Sequence, residues 1–477
     1  MNDNRFDLIA IGGGTAGLVT AAGGAGLGAR VALIERDRMG GECLWNGCVP
    51  SKALIAAARA AHDARAAARF GVETGKVHLR LDTALAHVRA VQERIAPHDS
   101  PERFRSLGVR VIQGEAAIED PGSVVVDGTR YRARNIVIAT GTRPAVPPIP
   151  GLAESGFHTN ETIFGIERLP RALVVIGGGP IGVELAQAFS RLGSEVHIVE
   201  ELPAFFSRED PEVASMLQQH LEREGIQFHL GARATAVRRN ADAITVTVGD
   251  EGNGSARELA GDALLVAVGR RPNLDALGLD RVGVRTDRGG VVTDGKLRTS
   301  VRGIFAAGDI VSGGLKFTHV ADHMARAVLR NALFPGASHV DYSAVPWVTY
   351  TDPELARVGL TEAEARDRFG ADMGVWRREV GAVDRSMTDL APAGLVKIVT
   401  DHKGRVVGGH ILASHAGDLI GELTIAVKHR LTVAQLGSVI HPYPTTAEAI
   451  KQAAEQRMKA GFTGWKKRLV RMLVNRV

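Results

Sequence analysis

Two stretches of this chain repeat one pattern of apolar and small residues. Asp7-Leu8-Ile9-Ala10-Ile11 is an apolar run too short for a helix, and it reads as a buried parallel strand. Gly12-x-Gly14-x-x-Gly17 follows and opens a helix, and Val31-Ala32-Leu33-Ile34-Glu35 reads as the next strand. The same order returns later. Leu173-Val174-Val175-Ile176 is a strand, Gly177-x-Gly179-x-x-Gly182 opens a helix, and Val196-His197-Ile198-Val199-Glu200 is a strand. Glu35 and Glu200 each stand 23 residues beyond the first glycine of their motif.

A lone motif of this kind is weak evidence. Two in strand–helix context, each with an acid at the same offset, predict two Rossmann-type dinucleotide sites. The glycines let backbone amides approach a pyrophosphate at a helix N-terminus, where the helix dipole favours negative charge. Each acid accepts hydrogen bonds from an adenosine ribose. Glu200 is followed by Glu201, and the nearest arginine is Arg208. That pair of acids repels a 2′-phosphate and favours NADH over NADPH.

Leu8 to Ala29 runs 22 residues without a charge, a length that invites a membrane-span or signal-peptide reading. Eight of the 22 are glycine and no basic n-region precedes the run, so a strand, a Gly-rich turn and a packed helix are expected instead. With no export signal, the expected compartment is the cytoplasm. The length of 477 residues implies two to four domains with ample core. Aromatics at 5% offer no base-stacking platform for nucleic acid. The net charge of +5 is local: residues 457–477 hold seven Lys or Arg and no acid, which leaves the rest slightly acidic. A helix over Trp465–Val477 gathers Trp465, Leu469, Val470, Met472, Leu473, Val474 and Val477 on a broad apolar arc. Lys467, Arg468 and Arg471 lie opposite, while Lys466 and Arg476 intrude on the apolar side. This basic amphipathic tail, 462–477, reads as a helix packed on its own dimer, a surface-lying membrane anchor or a docking helix for an acidic partner.

The chain has two cysteines, Cys43 and Cys48, set in Gly40-Gly41-Glu42-Cys43-Leu44-Trp45-Asn46-Gly47-Cys48-Val49-Pro50-Ser51-Lys52. Residues five apart in a regular helix rise about 7.5 Å, and a disulfide wants its Cα atoms about 4.4–6.8 Å apart. A bridge therefore requires a distorted first helical turn, which Gly47 and Pro50 suit, and such a bridge is easily reduced. Lys52, four residues on, favours a thiolate at Cys48. A structural bridge over so small a loop stabilises little. A zinc site needs about four ligands and the chain has no second cysteine pair, so no metal centre is expected. Two dinucleotide sites beside a redox-active pair imply a fixed flavin, FAD, and a diffusible nicotinamide, NAD, working in series.

These motifs resemble the pyridine-nucleotide disulfide oxidoreductases: dihydrolipoamide dehydrogenase, glutathione reductase and mercuric reductase. The resemblance continues through Ala139-Thr140-Gly141-Thr142-Arg143-Pro144, Val268-Gly269-Arg270-Arg271-Pro272-Asn273, Ile304–Ile310 and His441-Pro442-Tyr443-Pro444-Thr445-Thr446-Ala447-Glu448. It implies an α/β fold with two Rossmann-type domains and a C-terminal α+β interface domain. The FAD domain would take 1–150 and 275–340, the NAD domain 151–274, and the interface domain 341–461. It implies a homodimer in which each C-terminal segment completes the partner's active site.

The same resemblance assigns roles. Cys48 would lie against the flavin and Cys43 would meet substrate. Lys52 would pair with Glu184 near the flavin, and Asp309 would bind the ribityl chain. Thr140, Gly141 and Gly269 would line the cofactor sites. In dihydrolipoamide dehydrogenase and glutathione reductase a histidine general acid-base stands where this chain has Tyr443, with Glu448 five residues on. Tyrosine, with a free pKa near ~10, is a poor base at neutral pH. Tyr443 resembles mercuric reductase, as do Arg94–Phe104 and Phe317–Ala321. That enzyme, however, ends in a vicinal cysteine pair, whereas this chain ends Val474-Asn475-Arg476-Val477.

The expected activity is transfer of electrons from NADH through FAD and Cys48–Cys43 to a soft metal ion or a small disulfide. Two alternatives stand beside it: a specialised dihydrolipoyl dehydrogenase using NAD, and a membrane-associated NADH–quinone carrier.

Overall fold

The computed structural model describes residues 4–241, 243–250, 256–336, 338–391, 394–461 and 464–474. The chain divides into two compact units, one of residues 1–199 and 233–341, the other of 200–232 and 342–477.

The first unit is built on the first glycine motif. Strand β1 (Arg5–Ile11) leads through the glycine turn into helix α1 (Thr15–Gly26) and on to β2 (Val31–Glu35). β1 pairs in parallel with β2 and with β6 (Thr129–Ile138), and β2 pairs in parallel with β3 (Arg110–Gln113). Leu8, Ile9, Leu33, Ile136 and Ile138 are buried on both faces of this sheet, as a parallel sheet covered by helices requires. Strand Ile304–Ala306 returns from far along the chain to pair in parallel with β6. It brings with it helix Thr318–Leu333, whose Leu329 lies against Gly23 and Gly24 of α1. The antiparallel β4 (Ala116–Asp120) and β5 (Ser123–Val126) extend the edge beyond β6.

A second parallel set lies in the same unit. Ala172–Ile176 pairs with Glu195–Glu200 on one side and Ala263–Val266 on the other. Between its first two strands runs helix Pro180–Leu192, whose apolar face buries Val183, Leu185, Phe189 and Leu192.

The second unit carries a five-stranded antiparallel sheet in the spatial order 346–349, 354–359, 406–413, 395–400, 374–379. Helices Ala416–Lys428 and Glu448–Ala460 bury Ile420, Leu423, Ile450 and Ala453 with sheet residues Val396, Ile398 and Ile411. The tail forms helix Trp465–Val474; residues 475–477 of the expected helix lie outside the described residues. Among the described residues no helix is long and apolar enough to cross a membrane.

Candidate active site

The cysteine pair sits where the chain leaves β2. Gly40, in the left-handed region at φ 100°, turns it into helix α2 (Gly41–Trp45), and α3 (Cys48–Ala66) follows. The expected distortion of one helical turn is instead a break: Asn46 and Gly47 leave helical geometry, so Cys43 lies in α2 and Cys48 opens α3. A Cβ on Gly47 would stand 3.1 Å from the Glu42 carbonyl, so glycine permits the close fold-back. Gln92, on α4 (Leu81–Ile95), donates its amide to the Leu44 and Trp45 carbonyls at 3.0 and 2.8 Å, capping the end of α2.

Both thiols are free. Cys48 Sγ lies 3.6 Å from Thr318 Oγ1, at the start of the helix that Ile304–Ala306 brings in. A hydrogen bond from the Cys43 thiol lowers the Cys48 pKa to about 6 against the opposing effect of burial, with help from the Thr318 hydroxyl and the Lys52 ammonium. The same hydrogen bond, with burial, drives the Cys43 thiol far up. The pair thus separates into a thiolate at Cys48 and a neutral thiol at Cys43.

Lys52 stands one turn along α3, and its Nζ donates to Glu184 Oε2 at 2.7 Å. Glu184, on Pro180–Leu192, is nearly buried, while Lys52 keeps 35% of its side chain exposed. Glu42, beside Cys43, carries a second ion pair that its place in the motif did not announce. Its carboxylate accepts from Arg270 and from Asn160 Nδ2, the latter at 2.7 Å. Asn160 also donates to the Asn46 carbonyl at 2.9 Å. Arg270 in turn donates to the Thr142 hydroxyl at 2.7 Å, and that hydroxyl donates to Asp309 at 3.4 Å. Burial raises the pKa values of both Glu42 and Asp309, with Arg270 opposing the rise in each. Glu42, Arg270, Asn160 and Thr318 were missed as site residues. Arg270 and Thr318 stand inside motifs already singled out, which was the available signal.

The first glycine motif fits a pyrophosphate. Gly12 has φ 111°, and a Cβ there would meet the Ala139 carbonyl oxygen at 2.4 Å; one on Gly17 would meet the Gly12 carbonyl at 1.8 Å. Gly14 caps α1 with no side-chain hydrogen bond, which leaves the first-turn amides available. A cavity beside the motif is lined by Gly12, Glu35, Thr140, Arg143 and Asn273. The Glu35 carboxylate accepts from the Gly13 and Asp37 amides at 2.5 and 2.8 Å. The Thr140 hydroxyl donates to the Asn273 carbonyl at 2.9 Å, and Gly141 and Gly269 take φ 63° and 125° around it.

The second motif repeats the construction. A Cβ on Gly177, φ 109°, would meet the Ala267 carbonyl at 2.5 Å, and one on Gly182 the Gly177 carbonyl at 2.2 Å; Gly179 faces open space. Glu200 Oε1 accepts from the Leu202 amide at 2.8 Å. Both cradles therefore suit the dinucleotides expected of them.

In the second unit, Tyr443 is 70% exposed and its hydroxyl donates to Asp384 Oδ2 at 2.9 Å. The Asp384 carboxylate holds the Tyr443 pKa above its ordinary value, with Glu448 adding to the rise. Glu448 opens helix Glu448–Ala460. His441 has Nδ1 3.0 Å from the Val439 carbonyl and Nε2 3.0 Å from Glu422, so both ring nitrogens are engaged. Among the described residues no group of three or more His, Cys, Asp or Glu is placed to hold a metal ion.

A family model described as pyridine nucleotide-disulphide oxidoreductase matches residues 6–325, and the dimerisation-domain model of that family matches 345–454. The chain is 36% identical over 464 residues to a mercuric reductase of Streptomyces lividans, covering 94% of this chain and 96% of the relative. It is also 36% identical over 454 residues to a dihydrolipoyl dehydrogenase of Thermus scotoductus, covering 94% and 97%. The structure is similar to the HOCl-induced flavoprotein disulfide reductase RclA of Escherichia coli. The TM-score is 0.84 at 30% identity, over 94% of this chain and 99% of that one; a Cu(II) complex of RclA superposes with a TM-score of 0.83.

Proposed function

This chain belongs to the pyridine nucleotide-disulphide oxidoreductase family, and from that premise we propose that it is an NADH-linked reductase of a soft metal ion held at Cys43 and Cys48. It is an FAD-dependent enzyme with NAD(P)H as electron donor. When bound, FAD supplies two-electron relay between the nicotinamide and the cysteine pair. The first glycine motif, Glu35, Thr140 and Asp309 would hold FAD; the second motif and Glu200 would hold the nicotinamide dinucleotide. The acidic Glu200–Glu201 pair favours NADH.

The observation that carries the metal-ion reading is the contrast between the thiols and Tyr443. Soft ions bind thiolates, and Cys48, lowered to about 6, is ionised at neutral pH without help from a base. Cys43 gives its proton up when the ion arrives and becomes the second sulfur ligand. The ion takes one electron from each thiolate and leaves reduced by two electrons as the sulfurs close into a Cys43–Cys48 disulfide, and two electrons from NADH then reopen that disulfide to the dithiol. Oxidation of a lipoyl dithiol instead requires a base to remove thiol protons. The Tyr443 hydroxyl donates a hydrogen bond to Asp384 and has a raised pKa, and His441 has both nitrogens engaged. Neither is set up for that work. The names mercuric reductase and Cu(II) complex among the relatives point the same way.

The assembly proposed is a homodimer. Ile440 is 92% exposed, and Ile425 and Val439 are also exposed, all within the stretch matched by the dimerisation-domain model. The test of function is anaerobic NADH oxidation with thiol-buffered Hg(II) and with oxidised lipoamide in parallel. Turnover with Hg(II) at least about tenfold faster than with lipoamide is expected. Fast lipoamide turnover with no Hg(II) turnover would assign the protein to the lipoyl dehydrogenases.

A further inference from the structure

We propose that helix Trp465–Val474 is a docking surface for an anionic lipid bilayer, lying along the headgroups rather than crossing them. At 100° per residue, positions 465, 469, 472 and 473 share one arc of about 100°, and positions 467, 468 and 471 share the opposite side. Leu469, Met472 and Leu473 are 44%, 60% and 58% exposed, and Val470 and Val474, at 39% and 66%, widen the apolar arc across position 466, whose lysine interrupts it. Lys467, Arg468 and Arg471 are exposed as well. Helix Glu448–Ala460 just before it behaves differently: it buries Ala449, Ile450, Ala453 and Ala454 in the core of its unit.

Length excludes a span. Ten residues rise about 15 Å, half of the ~30 Å hydrocarbon layer. Charge selects the occupant. No acid follows Glu455 in the chain, so every charged side chain of the helix is a cation. Pairing of this helix with its copy on a second chain would bring like charges together. An anionic bilayer meets both requirements at once: acyl chains accept the apolar arc, and phosphates neutralise the cations.

The test is sedimentation of the full-length, FAD-loaded protein with phosphatidylcholine vesicles, with and without phosphatidylglycerol. Binding is expected with the anionic vesicles and is lost at high salt. Lys467→Gln, Arg468→Gln and Arg471→Gln together should weaken it about a hundredfold, at about fivefold per cation. Leu469→Ser with Leu473→Ser should abolish it at unchanged charge. Flavin absorbance and NADH turnover with a soluble acceptor should stay the same in both variants, which shows that they fold. Absence of sedimentation, or equal binding to neutral vesicles, would overturn the proposal. So would a variant that changes the oligomeric state without changing vesicle binding, or an acidic protein that retains the helix in the presence of anionic vesicles.

Discussion

Lys52 and Lys397 make ion pairs of nearly the same length in two different settings. Lys52 Nζ meets Glu184 at 2.7 Å and keeps a third of its side chain exposed beside Cys48. Lys397 Nζ meets Asp210 and Glu212 at 2.8 Å and Glu362 at 2.9 Å, with 3% exposure. Burial lowers the Lys397 pKa, but the three carboxylates outweigh it and the net shift is upward. Distance alone does not separate the two lysines. What separates them is that Lys397 has its charge consumed by its own fold, whereas the field of Lys52 still reaches a reactive sulfur.

The largest effect should come from breaking the buried hub. Lys397→Met leaves Asp210 buried without its cation, so a loss of about 3–5 kcal/mol is expected in urea unfolding. The flavin spectrum of the folded fraction should not change. The pH dependence carries a sign. Burial raises the pKa values of Asp210, Glu212 and Glu362, yet hydrogen bonds from Lys397 leave all three lowered. Their contribution is present above the ordinary carboxylate range and is lost as pH falls through the folded values. In Lys397→Met that acid-side loss should shrink. A variant as stable as the parent would erase the contrast.

Next in size is the clamp beside Cys43. Glu42→Ala removes the acceptor for Arg270 and Asn160, and about 1–3 kcal/mol should be lost. Glu42→Gln should recover part of that. Differential scanning calorimetry of the three proteins reads this directly.

Lys52→Met should reverse the pattern of Lys397→Met. A partly exposed pair contributes about 0–1 kcal/mol, so thermal stability should barely move. The Cys48 thiolate titration should shift upward, because the Lys52 ammonium is one of the groups that hold it down. A large stability loss with an unmoved thiolate would make Lys52 a second structural lysine.

The smallest effect is expected at Tyr443. Tyr443→His should raise lipoamide turnover and leave Hg(II) turnover within about twofold, because thiolate binding of a soft ion needs no base there. A parallel rise in both would mean that proton transfer limits the metal reaction too.

The elements around the site were legible because each has a local signal. The glycine motifs announced the strand–turn–helix units, and the twin offsets to Glu35 and Glu200 announced their repetition. In each motif the first and third glycines, Gly12 and Gly17 or Gly177 and Gly182, leave no room for a Cβ. Lys52 and Glu184 were named from motif position, and their approach to 2.7 Å depends on the packing of α3 along Pro180–Leu192, which no local pattern states. The break at Asn46–Gly47 was read as a distortion because helix rise was applied across a glycine. Glu42–Arg270 spans 228 residues and Lys397–Asp210 spans 187. Charged residues at such separations have no periodicity to betray a partner.

The central claim is that Cys48, not Cys43, is the thiolate. The most direct measurement is ultraviolet thiolate absorbance against pH in the reduced Cys43→Ser and Cys48→Ser variants. Serine at position 43 keeps a hydroxyl to donate to Cys48. A thiolate present at neutral pH is expected in Cys43→Ser, and none there in Cys48→Ser, where burial still holds the Cys43 thiol up. A neutral-range thiolate in Cys48→Ser, with none in Cys43→Ser, would contradict it.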